Sequence, residues 1–261
     1  MKLSHVWFDV DNTLYRLVGT ELEVLIFHEM YKAVLERKDL LNSQAKSSLA
    51  QLQRSGMAPH DAVEKFYDEL YYGDESKGIE GLDSHSRVFK SLGLERQIAN
   101  DAYNNPKIPE YVERAPPLID LFAHFRKIDM PYSLYSNNRA STVDVVLERL
   151  GLVPKEFKFR IYGDSYPKGL GDEGFDAIIA RSNVAPANIL FVGDRPSIEL
   201  KPAKDKGMKT ALVTWPKSDE SDRSRIPYMK KTFADYVLNN GPYGIKEIVD
   251  SLLRPEQNRD R

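Results

Sequence analysis

The 261-residue sequence has no cysteine. Disulfides, thiolate nucleophiles and cysteine-ligated zinc are excluded together. Also missing is any apolar run near the roughly 20 residues of a membrane span. The first residues lead straight into a strand pattern, without the charged and apolar regions of a signal peptide. Net charge is small as well: 37 Lys and Arg stand against 39 Asp and Glu, giving −2. Both signs are mixed along the chain, so nothing calls for a nucleic-acid polymer or an anionic membrane as partner. The five histidines, His5, His28, His60, His85 and His124, are scattered without metal-ligand spacing. What remains is the expectation of a soluble, cytoplasmic protein whose 41% hydrophobic side chains can build a substantial core.

The chain is organised around Val6-Trp7-Phe8-Asp9-Val10-Asp11-Asn12-Thr13-Leu14-Tyr15. Val6 to Val10 reads as a buried parallel strand, yet it delivers two carboxylates, Asp9 and Asp11, with Thr13 just beyond. A bare carboxylate in an apolar setting costs several kcal/mol, on the order of a lost ion pair, so each must be paired, hydrogen-bonded or metal-bound. Open parallel sheets bind ligands at the carboxyl ends of their strands. Helix capping would explain one aspartate and not the set.

From Glu21 to Ala102 the pattern is helical, with segments Glu21–Glu36, Ser43–Arg54 and Pro59–Tyr71 and little strand character. Such a stretch cannot continue a parallel sheet, so it predicts a separate helical lobe. After Pro116 and Pro117 a βαβα rhythm sets in. Helices are expected at Leu118–Arg126, Ser141–Leu150, Phe175–Arg181, Ile198–Lys206 and Ile245–Leu253. Strands are expected at Tyr132–Tyr135, Phe157–Tyr162, Ile189–Val192, Thr210–Val213 and Tyr236–Leu238. Lys217–Arg225 reads as an exposed loop and Arg254–Arg261 as a solvated tail. The fold class predicted is α/β, a doubly wound Rossmann-like parallel sheet with an inserted all-helical cap domain. Residues 1–16 and 111–261 are assigned to the sheet domain and 17–110 to the cap.

Three further positions stand at strand ends or in loops between strands. Ser136 and Asn137 follow the second apolar strand, where a hydroxyl and backbone N–H groups hold a phosphoryl oxygen or simply cap the next helix. Lys168 lies in Tyr166-Pro167-Lys168-Gly169, where most lysines are solvated. Asp194 ends Ile189-Leu190-Phe191-Val192-Gly193 and arrives at the same sheet edge as Asp9. Gly169-Leu170-Gly171-Asp172-Glu173-Gly174 spells the dinucleotide fingerprint, but no apolar strand runs directly into it and an acidic pair sits where pyrophosphate would approach.

Asp9-x-Asp11-x-Thr13, Ser136, Lys168 and Asp194, in this order, resemble the four motifs of the haloacid dehalogenase superfamily, whose members are mostly phosphatases. The resemblance implies Mg²⁺-dependent phosphoryl transfer. Asp9 would be the nucleophile and Asp11 the general acid and base; Asp9, the Asp11 carbonyl and Asp194 would hold Mg²⁺. Ser136, Asn137 and Lys168 would hold the phosphoryl group, with Thr13 also assigned to substrate. The sequence departs from the pattern in having Pro before and Gly after Lys168, and Glu199 where a second Asp is usual; Glu199 is read as supporting Asp194 or as a plain helix residue. Asp11 favours a phosphatase over a dehalogenase, since a halide leaving group needs no proton. Asp11-Asn12-Thr13-Leu14-Tyr15, Tyr71-Tyr72-Gly73 and Gly81 to His85 are loosely similar to the pyrimidine 5′-nucleotidase branch. The implied partner is a small phosphorylated metabolite. A phosphomutase would use the same residues, and a non-enzymatic protein could use the helical lobe to bind a partner.

Overall fold

The computed structural model describes residues 2–17, 20–74, 79–82, 84–104, 107–215 and 233–254. Strand β1, His5–Phe8, is followed by helices α1, Glu21–Glu36, α2, Ser43–Arg54, and α3, Pro59–Tyr72. A short antiparallel hairpin, β2 (Gly73–Asp74) with β3 (Ile79–Glu80), precedes α4, His85–Leu92, and α5, Arg96–Asn104. The chain then runs through α6 (Pro116–Lys127), β4 (Tyr132–Ser136), α7 (Ala140–Leu150), β5 (Arg160–Tyr162) and α8 (Glu173–Ser182). It closes with β6 (Ile189–Gly193), α9 (Lys201–Asp205), β7 (Lys209–Val213), β8 (Tyr236–Leu238) and α10 (Ile245–Leu253).

Six strands form one sheet in the order β5-β4-β1-β6-β7-β8, and every neighbouring pair is parallel. β1 is central, with Val6 opposite both Tyr132 and Leu190. All four of its residues are buried, as helices on both faces require. Trp7 faces one side with Phe175, Phe191 and Leu200, and its indole N–H donates to Ser182 Oγ at 2.8 Å. Phe8 faces the other, edge-on to Phe122. The predicted doubly wound α/β sheet is therefore present.

By contact density the chain divides into two compact units, Met1–Gly19 with Pro109–Arg261 and Thr20–Ile108. The second is the helical one. Thr20 Oγ1 caps α1 through the Glu23 N–H and Asn42 Oδ1 caps α2 through the Ala45 N–H, while Pro59 opens α3 at a position that needs no N–H. Its core is aromatic: Phe27, Tyr67, Tyr71 and His85 pack against one another, and Tyr67 Oη lies 2.8 Å from His85 Nδ1. The β2–β3 hairpin was not expected, since two-residue strands leave no periodic signal.

Three differences in the sheet unit matter. β1 starts at His5 and stops at Phe8, so Asp9 lies just past the ladder. The fifth strand covers only Arg160–Tyr162, because Pro154–Glu156 form a 3₁₀ turn before it. The single helix expected at Ile198–Lys206 is a π-turn, Pro196–Leu200, continued by α9. The predicted loop Lys217–Arg225 and all but the first residue of the predicted tail lie outside the described residues. Among those described, no helix is long and apolar enough to cross a membrane.

Candidate active site

Asp9 follows β1 directly, and its backbone N–H bonds to Val192 O at 2.9 Å. The chain then turns sharply, with Thr13 and Leu14 N–H both directed to Val10 O and Asn12 left-handed at φ 57°. This turn presents Asp9 and Asp11 at the carboxyl edge of the sheet. Ser136 ends β4 on one side of β1, and Asp194 follows β6 on the other.

Lys168 comes from the loop between β5 and α8, which Asn137 anchors by accepting the Lys168 backbone N–H on Oδ1 at 2.7 Å. The lysine is 1% exposed. Its ammonium bonds Asp9 Oδ1 and, at 2.7 Å, Glu199 Oε1, and it lies 4.9 Å from the centre of the Tyr135 ring. Burial alone would lower its pKa, but the charges of Asp9 and Glu199 outweigh that and raise it. The two carboxylates thus favour the charged form of the lysine.

Glu199 is 2% exposed, and its other oxygen accepts the Arg195 N–H at 3.2 Å. One oxygen from each of Asp9, Asp194 and Glu199 lies within 4.8 Å of the others. Burial, and then the charge of Asp9, pushes Glu199 up to about 7. Burial and the charge of Glu199 push Asp194 well above the usual carboxylate range. Asp194 Oδ1 is buried and has no hydrogen-bond partner. Three hard oxygen donors, one of them orphaned, and more negative charge than one lysine can balance, fit a divalent cation such as Mg²⁺.

Asp11 is engaged differently. Its Oδ1 accepts the Tyr15 hydroxyl at 2.5 Å, and the Asn138 amide donates to both of its oxygens, at 2.9 and 2.8 Å. Ser136 Oγ reaches Oδ2 at 3.4 Å and accepts the Asn138 N–H at 3.0 Å. Burial, and then Asp9 beside it, raise Asp11 to about 6. Thr13 is fully buried and its hydroxyl has no partner; it lies inside the turn rather than at the site's surface.

Asp9, Asp11, Ser136, Asn137, Lys168 and Asp194 thus share one edge of the sheet. Glu199 joins them, and so do Asn138 and Tyr15, which the motifs do not single out. Tyr15 ends the first motif and Asn138 directly follows Asn137, so proximity was the available signal. Glu199 reads from sequence as supporting Asp194 or as a plain helix residue, because its orientation toward Lys168 depends on the π-turn. The fingerprint-like Gly169–Gly174 loop leads into α8 as a packing device. A Cβ on Gly174 would sit 2.0 Å from Tyr135 Oη, so glycine is what lets the ring beside Lys168 approach this helix.

No protein-family model matches the sequence, and no curated protein does. Among solved structures, the chain is similar to a HAD phosphatase from Thermococcus onnurineus, with TM-score 0.55 and 20% identity over 95% of this chain and 98% of that one. It is similar to a β-phosphoglucomutase from Clostridium difficile, with TM-score 0.54 and 15% identity over 96% and 97% of the two chains. A haloacid dehalogenase-like hydrolase from Streptococcus pneumoniae gives TM-score 0.51 and 15% identity over 97% and 99%. At these identities the likeness establishes a haloacid dehalogenase-like fold.

Proposed function

We propose that a chain with this fold and this edge of the sheet is a Mg²⁺-dependent phosphomonoester hydrolase working through an aspartyl-phosphate. The observation that carries the reading is the buried Lys168 ammonium fixed between Asp9 and Glu199, beside the unpartnered Asp194 oxygen. A lysine and a cation site facing one carboxylate suit a concentrated anion in flight between two oxygens. Mg²⁺ bound among Asp9, Asp194 and Glu199 would supply charge neutralisation and polarise a phosphoryl oxygen.

In this reading Asp9 attacks phosphorus while Asp11 gives its proton to the departing alkoxide oxygen as the ester P–O bond breaks. Asp11 then takes a proton from the water that cleaves the aspartyl-phosphate, which frees Asp9 and phosphate. Tyr15 and Asn138 hold Asp11 in place for both transfers. Lys168 pairs with Asp9 and steadies the phosphoryl oxygens, with Ser136 and Asn137 lining the approach. Residues 17–110 act as the cap that selects the substrate. Within the class of small phosphometabolites, the first motif and the cap fragments favour a nucleoside 5′-monophosphate.

The test is phosphate release from nucleoside monophosphates, sugar phosphates and a chromogenic phosphoester, with and without Mg²⁺, for the parent and Asp9→Asn. Metal-dependent turnover that vanishes in Asp9→Asn is expected. Equal background from both proteins across the panel refutes the reading. Interconversion of sugar phosphate isomers without net release would make it a mutase.

A further inference from the structure

We infer that Trp215 and Asn12 form a two-link relay that orients the Asp194 carboxylate and thereby sets the Mg²⁺ affinity of the site. The inference rests on the proposed reading of that site as a cation-dependent phosphohydrolase centre. Trp215 follows β7, two strands away from β1 in the sheet. Its indole N–H nevertheless reaches the Asn12 carbonyl at 2.7 Å, inside the turn that separates Asp9 and Asp11 from the rest of the chain.

The indole is held from behind. Gly241 adopts φ 68°, and a Cβ there would stand 2.7 Å from two ring carbons of Trp215, so only glycine leaves room for the ring. Tyr243 packs edge-on at 6.0 Å. The Gly241 N–H returns to Thr214 O at 2.9 Å, and the Thr214 N–H bonds to Leu238 O at 2.7 Å, which locks this slot to the β8 end of the sheet. The donor therefore comes from a ring packed against Gly241 and Tyr243.

The second link is the Asn12 side chain. Its amide donates to Asp194 Oδ2 at 2.9 Å and its carbonyl oxygen accepts the Leu17 N–H at 3.1 Å. With both ends of the amide engaged and the backbone pinned by Trp215, Asp194 cannot exchange its two oxygens freely. Oδ1, which has no protein partner, stays the oxygen offered to a cation. Both residues are positioning residues: neither is placed to touch substrate, and both act through Asp194. Partners of this kind are worth roughly 10- to 100-fold in metal affinity.

The experiment is calorimetric Mg²⁺ titration of the full chain as parent, Trp215→Phe, Asn12→Gly and the double variant, with the metal-free thermal midpoint measured for each. Phenylalanine keeps a ring against Gly241 and Tyr243 while removing the donor. Glycine keeps the left-handed backbone while removing the amide. Each single variant should bind Mg²⁺ about 10-fold more weakly, and phosphate release should recover when Mg²⁺ is raised accordingly. Because the links act in series, Trp215→Phe should add less than about 2-fold in the Asn12→Gly background. Parent-like affinity in Trp215→Phe, or losses that multiply in the double variant, overturns the relay. A parent that binds Mg²⁺ but turns over no phosphoester refutes the phosphatase reading and leaves the relay standing; a parent that binds no Mg²⁺ refutes both.

Discussion

Replacing Lys168 with methionine preserves the bulk of a side chain that is 1% exposed and removes the charge between Asp9 and Glu199. Breaking a buried ion pair from one side costs about 3–5 kcal/mol, since the remaining charges are left without compensation. At about 2–4 °C per kcal/mol for a chain of this size, the midpoint should fall by roughly 10 °C. The deficit should also depend on pH. Glu199 is already raised to about 7, and losing the ammonium raises it further. An acid whose folded pKa is raised is stable while protonated and loses that stability as pH climbs through the folded value, so the variant should suffer more at pH 8 than at pH 6. Mg²⁺ binding to the same carboxylates should restore part of the loss, about 2.7 kcal/mol at a hundred times its dissociation constant. Urea unfolding with EDTA at both pH values, then with Mg²⁺, measures all three effects. A deficit under about 1 kcal/mol at pH 8, or one that does not change with pH, would refute the view that Lys168 is the principal counter-charge of the site.

Two other predictions concern the frame around the site. His5, stacked near Trp7 and Phe159 and bonded to Ser133 Oγ at 2.8 Å, is pushed down to about 4 by burial and then by Lys158. The unfolded chain therefore binds more protons between pH 6.5 and 4, and stability should decline by about 3 kcal/mol as pH falls through that window; His5→Phe should flatten this part of the urea-midpoint profile. Gly174→Ala brings a Cβ within 2.0 Å of Tyr135 Oη, so it should destabilise by about 1–3 kcal/mol. A gain of up to about 1 kcal/mol, the ordinary effect of alanine in a helix, would show that the close approach is not limiting.

The sheet was legible because a central parallel strand needs an unbroken apolar run, and Ile189–Val192 and Thr210–Val213 supply one each. Glu21–Glu36 was legible to the residue, since Thr20 caps it and its apolar spacing is helical. Legibility failed where long-range contacts override local pattern. Phe157 to Phe159 read as strand, but β5 begins only at Arg160. In the site, residues that close an apolar strand were visible because a charge is anomalous there. Asn138, Tyr15 and Trp215 were not, because an amide, a phenol or an indole in a turn is unremarked until the fold shows which carboxylate it meets. Glu199 lay between, its type and spacing visible and its burial not.

The π-turn at Pro196–Leu200 gives Glu199 a meaning beyond its contacts. Leu200 N–H bonds five residues back to Arg195 O at 3.2 Å, so this turn holds one residue more than an α-turn would. That surplus residue works as a spacer. Without it the segment would close as regular helix, and each side chain beyond the deletion would rotate by about 100° around the axis. In such a shortened chain the hydrophobic face of α9 would have to re-register against the sheet, and Glu199 would no longer point to the lysine. The number of residues between Asp194 and α9 is thus itself part of the site, and sequence variation should change residue types in this segment more readily than its length.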